Sequence, residues 1–257
     1  MINTSLVGAK RALILSGVAV GMAFSFAVNA DNHGAIKAAV EHPDRPATDV
    51  ARDVNRKPGE VLLFAGVKPG MTVLDLNSGG GYYSEILSHT VGPEGRVYAH
   101  NGAVYWAFMR KTEPARFAAR LPNVVPLNVD QEAVDLPENS VDVVMSVLAY
   151  HDYFMKHEAR TEPEDMPAIL ASIYKAMKPG GSFVVIDHEA EDGTGPEMGD
   201  KLHRINSDFV KGQVLAAGFK LDSESDILAN PDDNNTVSPF APDIRGKTDR
   251  FIMKFTK

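Results

Sequence analysis

Two histidine–aspartate couples carry side chains suited to catalysis. His151-Asp152 come just after the apolar run Val141 to Leu148, and Asp187-His188 close a second apolar run that starts at Ser182. An imidazole titrates near neutral pH, and a neighbouring carboxylate can orient it, so such a set can deprotonate a substrate hydroxyl or amine. The same nitrogen and oxygen donors could hold a divalent metal. The plainer alternative is hydrogen bonding to nearby loop backbone.

A second chemistry-bearing segment runs from Val73 to Tyr83, Val-Leu-Asp-Leu-Asn-Ser-Gly-Gly-Gly-Tyr-Tyr. An apolar run ends in a carboxylate, passes a glycine-rich turn and continues as an amphipathic stretch. That pattern predicts a strand, a tight loop and a helix N-terminus, which bring backbone N–H groups close to a ligand. Asp75 beside the turn suits a nucleoside or amino-acid ligand better than a bare pyrophosphate. Gly79 and Gly81 permit close backbone approach to that ligand, or close packing of the helix on the strand. Asn77 can adopt positive φ more readily than most residues, so the loop survives it. The chain has no HExxH, GxSxG or P-loop pattern, so zincin, serine-hydrolase and NTPase chemistries lack support.

These residues need elements to position them. The hydrophobic pattern predicts strands at Met71 to Leu76, Arg96 to His100, Val124 to Asn128, Val141 to Leu148, Ser182 to Asp187, Phe219 to Ser223 and Arg250 to Phe255. Helices are expected at Ala35 to Glu41, Glu60 to Ala65, Tyr83 to Thr90, Ala103 to Arg120, Pro167 to Met177 and Lys201 to Ala217. The last of these would carry His203 and Arg204. Strands nearly continuous in apolar residues, alternating with helices, imply a parallel sheet covered on both faces. A polar loop from Ala229 to Thr248, with Asp232 and Asp233, could fold over the site.

At 257 residues the chain can bury one sizeable core, and a formal charge of −8 argues against a nucleic-acid partner and for a small-molecule substrate. Lys10-Arg11 precede the uncharged stretch Ala12 to Val28, and small residues precede Asp31, the pattern of a cleaved secretory signal peptide. Its 17 uncharged residues fall short of the roughly 20 that a spanning helix needs. Cleavage would leave 24 basic against 34 acidic residues, a net of −10, and no stable membrane insertion. The expected organisation is a signal peptide at 1–30, an arm at 31–57 and one domain at 58–257, periplasmic or secreted. The absence of cysteine excludes disulfides, thiolate metal sites and a cysteine nucleophile.

Four segments in order, the glycine loop, Asn128 to Val144, Ala176-Met-Lys-Pro-Gly-Gly181 and Ala217-Gly-Phe-Lys220, resemble the class I S-adenosylmethionine-dependent methyltransferases. Asn55 to Pro58, Tyr150-His-Asp152, Asp187-His188, Leu202-His-Arg204 and Gly246 to Phe251 together are similar to a group of exported, sequence-predicted bacterial methyltransferases. The resemblance implies an α/β, Rossmann-like fold, a mostly parallel seven-stranded sheet with an antiparallel last strand and helices on both faces. It implies S-adenosyl-L-methionine as cofactor and a small methyl acceptor. By the same resemblance Asp75 would face the methionine amino group, Asn101 would take the place of the acid that binds the ribose diol, and Asp130 and Gln131 would meet the adenine. A carboxamide in place of that acid loses a charge-assisted bond of about 1.5–3 kcal/mol, roughly tenfold to a hundredfold in affinity. Two other activities fit the residues: an exported ligand-binding protein on the same scaffold, and a metal-assisted lyase or isomerase using the His/Asp cluster.

Overall fold

In the computed structural model, which describes residues 32–109, 116–117, 120–160 and 162–257, the seven strands form one sheet in the order β3-β2-β1-β4-β5-β7-β6. They are β1 Thr72–Leu76, β2 Arg96–His100, β3 Val124–Leu127, β4 Val141–Val147, β5 Met177–His188, β6 Lys220–Glu224 and β7 Arg250–Thr256. β1 to β5 run parallel, and β7 runs against both β5 and β6. The period-two geometry of a strand sends neighbouring side chains to opposite faces, and here both faces are apolar. Val73, Val143, Met145, Val184 and Ile186 bury against helices Pro58–Ala65 and Tyr82–Val91. Leu74, Val144, Phe183 and Val185 bury on the other face against Met166–Ala176 and Ser207–Ala216.

Two stretches differ from the sequence expectation. β5 starts at Met177 because the Lys178-Pro-Gly-Gly181 turn is a bulge within the strand, where the register with β4 shifts. A Cβ on Gly181 would meet the carbonyl oxygens of Asp142 and Lys178 at 2.9 Å, so the bulge needs glycine there. The single helix expected over Lys201 to Ala217 is two, Glu197–Leu202 and Ser207–Ala216. His203 ends the first in the left-handed region, and the Asn206 side chain caps the second by accepting from Phe209 N–H. Ile205 N–H donates to His188 O, which ties this break to the end of β5.

The residues expected as an N-terminal arm pack on the domain. Ile36 and Ala39, from the helix at 32–40, join the core, Arg45 pairs with Asp53, and the Tyr82 hydroxyl donates to Asp53. Residues 1–30 lie outside the described residues, as does most of the stretch after Met109 expected as helix. Among the described residues, no helix is long and apolar enough to cross a membrane.

Arg204, expected on the last large helix, is fully buried at the break between the two helices. Its guanidinium pairs with Asp233 at 2.8 Å and donates to the carbonyls of Val237 and Glu189. The 229–248 loop is therefore fastened to the domain from below. Removing one member of a buried pair leaves an uncompensated charge, so Asp233→Ala is expected to cost about 3–5 kcal/mol of unfolding free energy. Urea denaturation measures this, and a loss below about 1 kcal/mol would show that the pair does not hold the loop.

Candidate active site

β1, β4 and β5 end at one edge of the sheet, and there the chain encloses a cavity of about 1140 Å³. Small-ligand pockets usually span roughly 300–1,000 Å³, so there is room for two ligands side by side. Gly79 lines it after β1, Leu148, His151 and Asp152 after β4, and His188 at the end of β5. Val104, Tyr105 and Met109 add an apolar wall, and Pro239, Phe240, Arg245 and Gly246 come from the 229–248 loop.

The two His/Asp couples meet. Asp187, fully buried, accepts the ring N–H of His151 at 2.7 Å, its backbone N–H at 2.9 Å, and the backbone N–H of His188 at 2.7 Å. The other His151 nitrogen lies 3.2 Å from Asp152. Burial alone would lower the His151 pKa, but the Asp187 and Asp152 carboxylates outweigh it and raise the value to about 10. His151 is therefore an imidazolium with both nitrogens engaged, which removes the expected role of free base. Burial opposes ionisation of Asp152, yet the His151 charge and hydrogen bonds from His203 and Tyr105 hold it well below the usual carboxylate range. His188 is pushed well below the ordinary histidine value, first by burial and then by the charges of His151, Arg250, Arg204 and Arg56. It is neutral, with Nδ1 2.6 Å from the Thr248 hydroxyl.

His203 was missed as a site residue because a continuous helix would have placed it by its apolar neighbours. The helix break brings its Nδ1 to 3.6 Å from Asp152 and its ring edge-on to His151, 5.6 Å between centroids. His151, Asp152 and His203 are the group of side chains arranged closely enough to hold a metal ion among the described residues. His188 and Asp187, which shared the alternative reading as metal donors, are not in that group. A metal at this position would have to displace the protons that His151 donates to two carboxylates.

The residues expected around the nucleoside sit on the β1–β2 side, where they bond mostly to one another. Gly79 (φ +57°) faces the cavity, while Gly81 (φ +81°) lies under Phe117, whose ring would be 2.6 Å from an added Cβ. The first glycine serves access and the second packing. Asp75 is buried behind the loop, accepts from the Ser84 hydroxyl at 2.6 Å, and has its pKa raised to about 7 by burial. Asn101 accepts from Gly79 N–H and donates to Ser78 and the Gly79 carbonyl, so it braces the loop. Asp130 caps the helix at Ala103.

Asn77 Oδ1 accepts from Gly102 N–H and from Gln131, leaving Asn77 Nδ2 and Gln131 Oε1 buried without a partner. Such orphaned groups are rare in native proteins and cost about 1–3 kcal/mol each. One donor and one acceptor match the amino and ring-nitrogen edge of an adenine, so the residues present fit the nucleoside end of the expected cofactor.

Residues 74–185 match the family model described as Methyltransferase domain. Among curated proteins, the ubiquinone/menaquinone biosynthesis C-methyltransferase UbiE of Shewanella sp. strain W3-18-1 is 27% identical over 166 residues, 62% of each chain. The UbiE of Shewanella piezotolerans is 30% identical over 125 residues, 48% of this chain and 45% of that one. The chain thus spans less than two thirds of the length of these relatives. Among solved structures, a SAM-dependent methyltransferase from Aquifex aeolicus aligns at 24% identity with a TM-score of 0.57, over 84% of this chain and 95% of that chain. The methyltransferase-domain match thus covers less than half of the chain, and the likeness to the Aquifex aeolicus protein is one of fold, the Rossmann-like seven-stranded sheet.

The charge state of His151 is testable. Its folded-state value lies above the ordinary 6.5, so the stability it contributes is fully present below pH 6.5 and lost as pH rises toward 10. The expected slope there is up to about 1.4 kcal/mol per pH unit, one proton, and His151→Gln should flatten it. Nitrogen NMR of the ring at pH 8 should show both nitrogens protonated; a neutral ring would sink the assignment. Asn101→Asp tests the brace. It sets a carboxylate oxygen against the Gly79 carbonyl and should destabilise the fold by about 1–3 kcal/mol in urea.

Proposed function

We propose that this protein transfers the methyl group of S-adenosylmethionine to a small acceptor bound beside His151, Asp152, His188 and His203. The observation that carries the reading is a single cavity lined both by Gly79 of the glycine loop and by the histidine–aspartate cluster. When bound, S-adenosylmethionine supplies a methyl already activated by its sulfonium. What the protein adds is alignment and the removal of one proton. Gly79 and the Asn77–Gln131 pair would hold the nucleoside, and Tyr105, Val104 and Met109 would exclude water.

His203, partly exposed in the cavity and oriented by Asp152, takes the proton that the acceptor's hydroxyl, amine or acidic carbon loses as its bond to the methyl forms. The His151 imidazolium, held by Asp187, fixes Asp152 in place and keeps it ionised. The Shewanella relatives are named as C-methyltransferases, and a carbon acceptor needs the same proton removal. The leader-like pattern of residues 1–30 supports a reaction outside the cytoplasm.

Calorimetry of the chain from Asp31 onward with S-adenosylmethionine and its demethylated product is the direct test. Saturable binding of both is expected, and no heat up to about millimolar ligand, some −4 kcal/mol, would reject the reading. Divalent metal should leave the affinity unchanged. His203→Gln and Asp152→Asn should keep cofactor binding while slowing methyl transfer about 10²–10⁴-fold once an acceptor is in hand.

A further inference from the structure

Arg52, Arg56, Arg245 and Arg250 line the cavity, against one carboxylate, Asp152. Arg52 is matched by Asp49 at 2.8 Å, and Asp152 is matched by His151. Arg250 is 5% exposed and has no carboxylate partner among the described residues. Its guanidinium donates only to neutral acceptors, the carbonyls of Asn55 and Gly246 and the Thr248 hydroxyl. Arg56 makes no side-chain hydrogen bond or ion pair among the described residues and rests over the Tyr82 ring at 4.7 Å. The acids nearest to it are engaged elsewhere, Asp49 with Arg52 and Arg116, and Asp53 with Arg45.

Two guanidiniums without counter-ions in one cavity, Arg250 buried and Arg56 partly so, are costly; the Arg250 pKa is lowered first by burial and then by the Arg56 charge. Burial likewise acts first on Arg56, with Arg52 adding to it. Burial first, then the charges of His151 and Arg250, with Arg204 and Arg56 behind them, also lower the His188 pKa. Arg250 stands opposite His188 in the β5–β7 pairing, so this charge lies at the acceptor end of the cavity. A guanidinium pairs best with a planar carboxylate or a phosphate. The walls beyond it, Leu148, Met155 and Phe240, are apolar.

We propose that Arg56 and Arg250 bind the carboxylate or phosphate of an anionic methyl acceptor whose body is apolar. This rests on the reading that the acceptor lies at the β4–β5 end of the cavity. A carboxylate there could also come from the methionine part of the cofactor, and the experiment separates the two sources.

The test uses the chain from Asp31 onward with benzoate, inorganic phosphate and the uncharged analogue benzamide, at fixed ionic strength. Benzoate or phosphate should raise the melting temperature of the wild type and benzamide should not. Arg56→Met should weaken the anion at least tenfold while leaving the unliganded melting temperature equal or higher, since it removes a charge that nothing in the fold pairs. Arg56→Lys should restore part of the affinity. Equal response to benzoate and benzamide, or an Arg56→Met protein that still binds the anion as the wild type does, overturns the proposal.

S-adenosylhomocysteine and methylthioadenosine, which lacks the carboxylate, identify the source. If Arg56→Met weakens the first and spares the second, the anion is the cofactor's own and the acceptor assignment falls. Equal effects on both support it. Anion binding without any cofactor binding rejects the methyl-transfer reading and leaves the anion site standing.

Discussion

The Asp187 carboxylate, at the end of β5 and without solvent contact, receives three N–H groups, two from His151 and one from His188. A buried carboxylate is costly unless its oxygens are paired, and this one is paired on both. The pairing fixes the turn after β4 against the end of β5, orients the His151 ring and keeps it charged. Asp152 is held ionised as a result, and Asp152 in turn orients His203. The chemical edge of the cavity follows from one desolvated acid at a parallel-strand terminus.

Charge is distributed unevenly around this centre. The imidazolium of His151 sits between two carboxylates, while Arg250 and Arg56 face the cavity with no paired carboxylate among the described residues. The first arrangement is self-contained and belongs to the protein alone. The second is incomplete, and it is the incompleteness that suggests a ligand. The orphaned amide atoms of Asn77 and Gln131 are a second such place, buried where the glycine turn meets the residues after β3.

Much of the scaffold was legible because its signals are local. Continuous apolar runs with helices between them can bury only as a doubly covered parallel sheet, and six of the seven strands fall within about two residues of their expected ends. β5 was anticipated too short, since a bulge through Pro179 and Gly180 reads as a turn when its partner strand is unknown. The last helix was anticipated as unbroken because Leu202, Ile205 and Phe209 keep helical spacing across the break. There the buried Arg204–Asp233 pair and the Asn206 cap outweigh periodicity.

What the sequence determined by itself was the order of strands and helices, the glycine turn, and the presence of His/Asp couples just beyond two apolar runs. Those follow from pattern and from the backbone demands of particular residues, which act over a few positions. Only the tertiary structure decided that His151 is charged, that Asn101 braces the loop while Asp75 is buried against Ser84, that His203 joins the site, and that Arg56 and Arg250 have no carboxylate partner among the described residues. Each of those depends on burial and on charges brought together from residues up to about two hundred positions apart, as Arg250 and Asn55 are. Desolvation and Coulomb interaction are set by distance in space, and a linear sequence does not contain that distance.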